Sequence, residues 1–125
     1  PVLSQEAAIE ALRQPDKDIA EMKTAYIRRR NLVHKAFEDM GIPCRKPEGA
    51  FYAFPQIGQF GLSSYDFAMK LLENQQVAAV PGAAFGACGE SFLRCSYATS
   101  IDGLRTAMER IATFTSGLKS KNIKG

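Results

Sequence analysis

Apolar residues in this chain recur at two different spacings, and the switches between them mark out its elements. Over residues 17–40, Ile19, Met22, Tyr26, Val33, Phe37 and Met40 return at intervals of three, four or seven. That is the stripe of a long amphipathic helix. A shorter helix precedes it through Ala7, Ala8, Ile9 and Leu12, with Ser4 as N-cap and Glu6 and Glu10 supplying negative charge early. Pro15 interrupts the run and Asp16 caps the long helix, which stops at Gly41 ahead of Pro43. Ala50-Phe51-Tyr52-Ala53-Phe54 is short, aromatic and bounded by Gly49 and Pro55, so it reads as a strand. The density of rings fits a strand buried on both faces, which assigns Tyr52 and Phe54 to the core.

Residues 56–62 carry two glycines and read as loop. Ser63 or Ser64 caps the next helix, with Asp66 in a capping-box arrangement and Phe67, Ala68, Leu71 and Leu72 as its buried face. Asn74-Gln75-Gln76 end it, and Val77 to Val80 form a second short strand. Ser100 caps a last helix, with Asp102 in its first turn and an apolar stripe at Ile101, Leu104, Met108, Ile111 and Leu118. The fold class predicted is α/β, a two-layer sandwich: a small three- to four-stranded mixed sheet with helices packed on one face. Residues 1–125 then form a single domain, with a helical lead-in at 1–40, a compact core at 41–116 and a frayed tail at 117–125.

Composition narrows the function. At 125 residues the chain can bury about two-thirds of its unfolded surface in one core. A net charge of +3, with its lysines and arginines scattered, argues against nucleic acid and acidic membranes. Even the basic triplet Arg28-Arg29-Arg30 points in three directions on a helix and reads as a solvated, salt-bridged face. No apolar run approaches the roughly 20 residues that span a bilayer. Cys44, Cys88 and Cys95 are odd in number and lack metal-ligand spacing, which fits reduced cytoplasmic thiols. His34 alone cannot build a metal cluster, and it reads as a surface residue. The start at Pro1 without methionine suggests a piece of a longer protein.

The candidate chemistry lies in PGAAFGACGESFLRCSYA, Pro81 to Ala98. A turn-rich opening with glycines at 82, 86 and 89 runs into a strand at 91–97. Alternation puts Leu93, Cys95 and Tyr97 on one face and Phe92, Arg94 and Ser96 on the other. With a core on the first face, Cys95 behaves as a small buried hydrophobe, and Cys88 in the turn is the more reactive thiol. Arg94 is left on the second face, where its planar fork suits a carboxylate or phosphate. Spacing alone favours a surface arginine paired with a nearby Asp or Glu.

PGxxFGxxGxxxLRxSxA resembles the C-terminal signature of the class I/II aminotransferases, the fold-type-I enzymes that use pyridoxal phosphate. Glu48 to Pro55, EGAFYAFP, is similar to the strand lining the same cleft in that family, and the likeness runs over nearly the whole chain. It implies two substrate-binding residues, Arg94 for the α-carboxylate and Phe51 toward the cleft. It also implies that the long helix joins a large domain to a small one. No segment matches the family's cofactor lysine or its large domain, so the chain resembles the small domain alone. Catalytic, cofactor-binding and metal residues are then absent from the fragment, which is expected to be inactive by itself.

For the full-length parent, the resemblance implies pyridoxal 5'-phosphate and transfer of an amino group from an amino acid to a 2-oxo acid. It implies the large domain and a homodimer as partners, a cytoplasmic setting, and no role for nucleic acid or membrane. Aspartate, aromatic, alanine and diaminopimelate-type donors stay open. Two other readings share these residues: the aminotransferase-like effector-binding domain of a transcription regulator, and a free-standing carboxylate-binding module.

Overall fold

Burial along the last strand alternates as its sequence predicts, and that alternation sets the two sides of the molecule. The computed structural model describes residues 1–13 and 17–122. Among them are four α-helices, α1 (Val2–Arg13), α2 (Lys17–Asp39), α3 (Ser64–Gln75) and α4 (Ile101–Asn122). Three short strands, β1 (Tyr52–Ala53), β2 (Val80–Pro81) and β3 (Leu93–Ser96), form one sheet in the order β1-β3-β2. Both pairings are antiparallel, Ala53 facing Cys95 and Val80 facing Arg94. The expected mixed sheet is therefore corrected. The chain reverses directly between β2 and β3, and β3 lies between two strands that run against it. A parallel pair would need a crossover element between neighbours. Single bridges from Cys44 to Pro55 and from Gln56 to Phe92 lengthen the paired region slightly.

The inward face of β3 carries Leu93, Cys95 and then Tyr97, each buried. Ala53 joins them from β1, with Leu104, Met108, Ile111 and Phe114 from α4. Phe67, Ala68 and Leu71 of α3 and Val33 and Phe37 of α2 complete this core. Rings interlock within it, Phe67 meeting Phe60 at 5.5 Å and Phe114 edge-on at 5.1 Å. Ile57 and Phe60, from the stretch read as plain loop, are buried, Phe60 on a short 3-10 turn. That stretch supplies core because it is pinned to its neighbours. Ile57 N–H donates to Ser91 O at 2.7 Å, and Gln56 N–H to Pro43 O at 2.8 Å.

Several sequence expectations need correction. Tyr52 and Phe54 are not core residues. Tyr52 is half-buried and Phe54 is 37% exposed, while Ala53 and Pro55 between and beyond them point inward. The segment thus has one buried face, not two. Leu72 is exposed, since it lies about 100° around α3 from Leu71. Ser4 sits inside α1 and not at its cap, because Gln5 N–H already closes a turn on Pro1 O. The break at Pro15 and the cap at Asp16 lie outside the described residues. The apolar stripe of α2 enters the core only from Val33 onward. Ile19 and Met22 are more than half exposed, and α1 buries no residue.

Other corrections concern charge and the C-terminus. None of Arg28, Arg29 and Arg30 forms an ion pair among the described residues. Arg29 instead lies over the Tyr26 ring, and Arg30 donates to Pro47 O and Asn31 Oδ1. His34 is mostly covered and pairs with Glu38 one turn on. The tail expected to fray from Gly117 is helical to Asn122, where Lys119 reaches back to Met40 O at 3.1 Å. Residues 123–125 lie outside the described region. Both proposed caps hold: Ser63 Oγ accepts from Asp66 N–H at 3.0 Å, and Ser100 Oγ from Gly103 N–H at 3.1 Å. No helix among the described residues is long and apolar enough to cross a membrane.

The three thiols sit in three environments. Cys95 is buried, Cys44 is half-covered and Cys88 is exposed. Burial pushes the Cys95 thiol up to about 12 and raises Cys44 less far. The unfolded chain releases the Cys95 proton near its ordinary value of about 8.5, while the folded chain holds it. Stability from this group is therefore complete below that value and is lost as pH rises toward 12. Native labelling with a thiol reagent at neutral pH is expected to modify Cys88 first, Cys44 more slowly and Cys95 only on unfolding. Timed mass spectrometry reads the order, and early labelling of Cys95 would refute the facing of β3.

Candidate functional site

Arg94 stands on the outward face of β3, opposite Val80 and diagonal to Tyr52. A diagonal neighbour on an antiparallel pair lies within reach of a long side chain. The guanidinium carbon of Arg94 lies 4.5 Å from the Tyr52 ring centre and also 4.5 Å from that of Phe85. Each such contact favours the cation by about 0.5–2 kcal/mol, more as water is excluded. No Asp or Glu forms an ion pair with Arg94 among the described residues, and no hydrogen bond to its fork is made. The alternative of a strand arginine neutralised by a surface carboxylate is not what the structure contains. The rings hold the guanidinium, while its N–H edge remains available for an anion.

The flanking rings belong to a larger cluster. Phe85 meets Phe54 at 5.8 Å, and Phe54 meets Phe92 at 6.2 Å. On the other side Phe51 lies 4.6 Å from Tyr52 and 6.0 Å from Tyr26. Phe51 is 39% exposed and meets the guanidinium only through Tyr52. Sequence reasoning named Arg94 and Phe51 and missed Tyr52, Phe54 and Phe85. A period-two register was the available signal. Tyr52 and Phe54 alternate with the small Ala53 and with Pro55, the pattern of a strand with one open face.

Two backbone features aim these side chains. Ala50 adopts a left-handed conformation, φ 58°, just before β1. The buried Tyr97 donates its hydroxyl to Ala50 O at 3.0 Å and so ties that kink to β3. Burial raises the Tyr97 pKa, and the nearby Arg30 charge works against that rise. The second feature is the loop from β2 to β3. It forms two 3-10 turns, Gly82–Phe85 and Ala87–Gly89, where plain turns were expected. Gly86 between them has φ 114° and ψ 167°, a region open almost only to glycine.

Gly82 and Gly89 press backbone against backbone. A Cβ on Gly82 would lie 2.1 Å from Gly89 O, and one on Gly89 would lie 2.1 Å from Gly82 O. The loop's base is closed by Gly82 N–H on Phe92 O and Phe92 N–H on Gly89 O, both 2.9 Å. At the next residue the Glu90 carboxylate accepts from Ser64 N–H at 2.8 Å and from Ser64 Oγ–H at 3.3 Å. Ser64 Oγ in turn accepts from Ala83 N–H at 3.3 Å.

The chemistry on offer is recognition of an anion by a partly covered guanidinium held beside apolar rings. No histidine, lysine or thiol joins these ring contacts. Among the described residues, no three His, Cys, Asp or Glu side chains are grouped to hold a metal ion.

Residues 1–111 match the family model for aminotransferase class I and II, and the chain belongs to that family. It is 47% identical over 114 residues to a putative aminotransferase, YugH, of Bacillus subtilis, covering 91% of this chain and 30% of that protein. It is also 47% identical over 109 residues to aromatic-amino-acid aminotransferase 2 of Thermococcus litoralis, covering 86% and 28%. The fold superposes on the crystal structure of an aromatic aminotransferase from Pyrococcus horikoshii with a TM-score of 0.87. The two are 45% identical, with 92% of this chain and 31% of that one covered. The chain thus spans less than a third of the length of the relatives it matches.

The Gly82–Gly89 contact has a direct consequence for stability. Gly82→Ala forces a methyl group into a rigid backbone and is expected to cost about 3 kcal/mol, the upper end of ordinary overpacking. Gly117→Ala lies in the α4 interior with open space around its would-be Cβ, and is expected to add about 0.5–1 kcal/mol. Urea unfolding of both variants beside the parent sequence checks the pair. A Gly82→Ala protein of normal stability would contradict the close approach.

Proposed function

We propose that this chain is the small, C-terminal domain of an aminotransferase, and that Arg94 binds the α-carboxylate of its substrate. One observation carries this reading. The arginine of a segment resembling the family's C-terminal signature is held between two rings with its hydrogen-bonding edge uncommitted. Family membership and the aminotransferase names of its relatives support it. In this reading the helices form one layer of a two-layer sandwich. The face bearing Arg94 and Tyr52 is the side left for the large domain, with residues 1–40 as the connecting lead-in.

Pyridoxal phosphate, the cofactor usual in this family, supplies the electron-withdrawing chemistry of amino-group transfer when bound. The Arg94 cluster does not fit that group. It offers one guanidinium and several rings, with neither an amine to bond the cofactor nor a cradle of N–H donors for its phosphate. The cofactor lysine and phosphate site are accordingly assigned to segments of the parent outside these residues. The fragment alone is expected to be inactive.

Arg94's part is positional and electrostatic. Two parallel N–H donors bind both carboxylate oxygens, which fixes the amino acid against rotation about its Cα–carboxylate bond. Holding that orientation aligns the bond to be broken with the reacting group and lowers the entropic part of the barrier. Tyr52 and Phe85 cover part of the guanidinium against water, which strengthens its attraction for the anion. Phe51, beyond Tyr52, is the residue placed to meet the rest of the substrate. The donor and acceptor are an amino acid and a 2-oxo acid, in a cytoplasmic, homodimeric parent.

Arg94→Lys in the full-length parent is expected to lower kcat/KM by about ten- to a hundredfold, since lysine cannot reproduce two parallel bonds. A hydrogen bond to a charged group contributes roughly 1.5–3 kcal/mol, which corresponds to that range. The thermal midpoint should move little, because the side chain lies on the outward face of β3. Steady-state kinetics and thermal melts on one preparation test both halves. Normal kcat/KM in a folded variant would sink the carboxylate assignment.

A further inference from the structure

Glu90 is absent from any role considered so far, although it joins three separate segments. Its carboxylate accepts from the first backbone N–H of α3 and from the hydroxyl of Ser64, a residue with no exposed surface. The helix N-terminus favours that negative charge. Ser64 Oγ passes the connection on by accepting from Ala83 N–H, inside the 3-10 turn that ends in Phe85. Glu90 itself follows Gly89 directly, and Gly89 is pressed against Gly82 at the base of the same loop. The loop is therefore fastened to α3 at two points, one on each side of Phe85. Phe85 is otherwise poorly held. It is 52% exposed, and its ring contacts are with Phe54 and Arg94.

We propose that Glu90 is a positioning residue for substrate binding: through Ser64 and Ala83 it holds the Phe85 ring against Arg94. This rests on the reading of Arg94 as the carboxylate-binding group. Without the anchor the 3-10 turn shifts, Phe85 leaves the guanidinium, and Arg94 gains both water and rotamer freedom. A guanidinium that must give up more water and more rotamer freedom on binding should lose about tenfold in affinity, the scale of immobilising one long side chain. Arg94 keeps its place on β3 and both its donors, so substrate that does bind is still oriented, and the loss should appear in KM and in inhibitor affinity, with kcat changing much less.

The experiment uses the full-length parent enzyme, with hydrocinnamate and succinate as competitive carboxylate probes. Glu90→Ala is expected to raise KM and the inhibition constant of the effective probe about tenfold, with kcat within about twofold. Glu90→Gln keeps one oxygen for Ser64 N–H and should recover part of that loss. Ser64→Ala, which leaves the Glu90 contact to the helix N–H, should reproduce the KM effect if Glu90→Ala fails to fold. The decisive comparison is with Phe85→Ala: if Glu90 acts through Phe85, the double variant binds the probe no more weakly than Phe85→Ala alone. Additive losses, or a normal KM in a folded Glu90→Ala or Ser64→Ala enzyme with a lowered thermal midpoint, overturn the proposal and leave Glu90 as a helix cap only. Arg94→Lys separates the two readings. Where it is costly and the Glu90 variants are not, only the positioning role fails. Where Arg94→Lys is harmless, the carboxylate reading fails and the positioning role fails with it.

Discussion

The contact between the Gly82 and Gly89 backbones governs the rest of the site. With no side chain at either position, the two ends of the β2–β3 connection close to a distance that a single Cβ would forbid. That closure lets Phe92 exchange hydrogen bonds with both glycines and starts β3 in a fixed register. Register then decides everything on that strand. Leu93, Cys95 and Tyr97 turn inward to the helices, and Arg94 turns outward beside Tyr52. A slip of one residue would send the guanidinium into the core and Cys95 to the surface. The same closure projects the intervening turns outward, which is how Phe85 reaches the guanidinium from a different segment.

Much of this was legible in the sequence because it follows from local rules. The α4 stripe, the Ser63 and Ser100 caps, and the alternation from Leu93 to Tyr97 depend on spacing and capping chemistry alone, and they appear as read. What was not legible depends on partners distant in the chain. Tyr52 and Phe54 look like core by composition; their alternation with Ala53 and Pro55 hints at one open face, and pairing with β3 shows which side it is. Ile57 and Phe60 lie among glycines and read as loop, yet bonds to Pro43 and Ser91 draw them inward. The direction of the sheet was misjudged for a related reason. β1 and β2 run the same way but never touch, since β3 separates them. Arg94 and Phe51 came from resemblance, whereas the Arg94–Phe85 contact needed the three-dimensional path of the loop.

The core and the N-terminal helices are held to different degrees. From Val33 onward α2 is built into the core through Val33 and Phe37, and Lys119 of α4 bonds to the carbonyl just beyond its end. Before Tyr26 the same stripe continues with Ile19 and Met22, but no described residue buries them, and α1 buries nothing among the described residues. Hydrophobic burial supplies most helix stability in proteins. Exchange of backbone amide hydrogens should therefore divide α2 near its middle, despite its continuous hydrogen-bond ladder.

The ring over Arg94 also gives the molecule a spectroscopic handle. The chain contains no tryptophan and four tyrosines, so its near-ultraviolet absorbance and emission come chiefly from phenols. Of these, Tyr52 has the Arg94 guanidinium 4.5 Å from its ring centre, whereas Tyr26 lies under Arg29, Tyr97 is buried and Tyr65 is exposed on α3. An anion that draws the guanidinium charge toward its own oxygens changes the field at one identifiable chromophore. Ligand occupancy at this face can thus be followed by tyrosine difference spectroscopy without any added label.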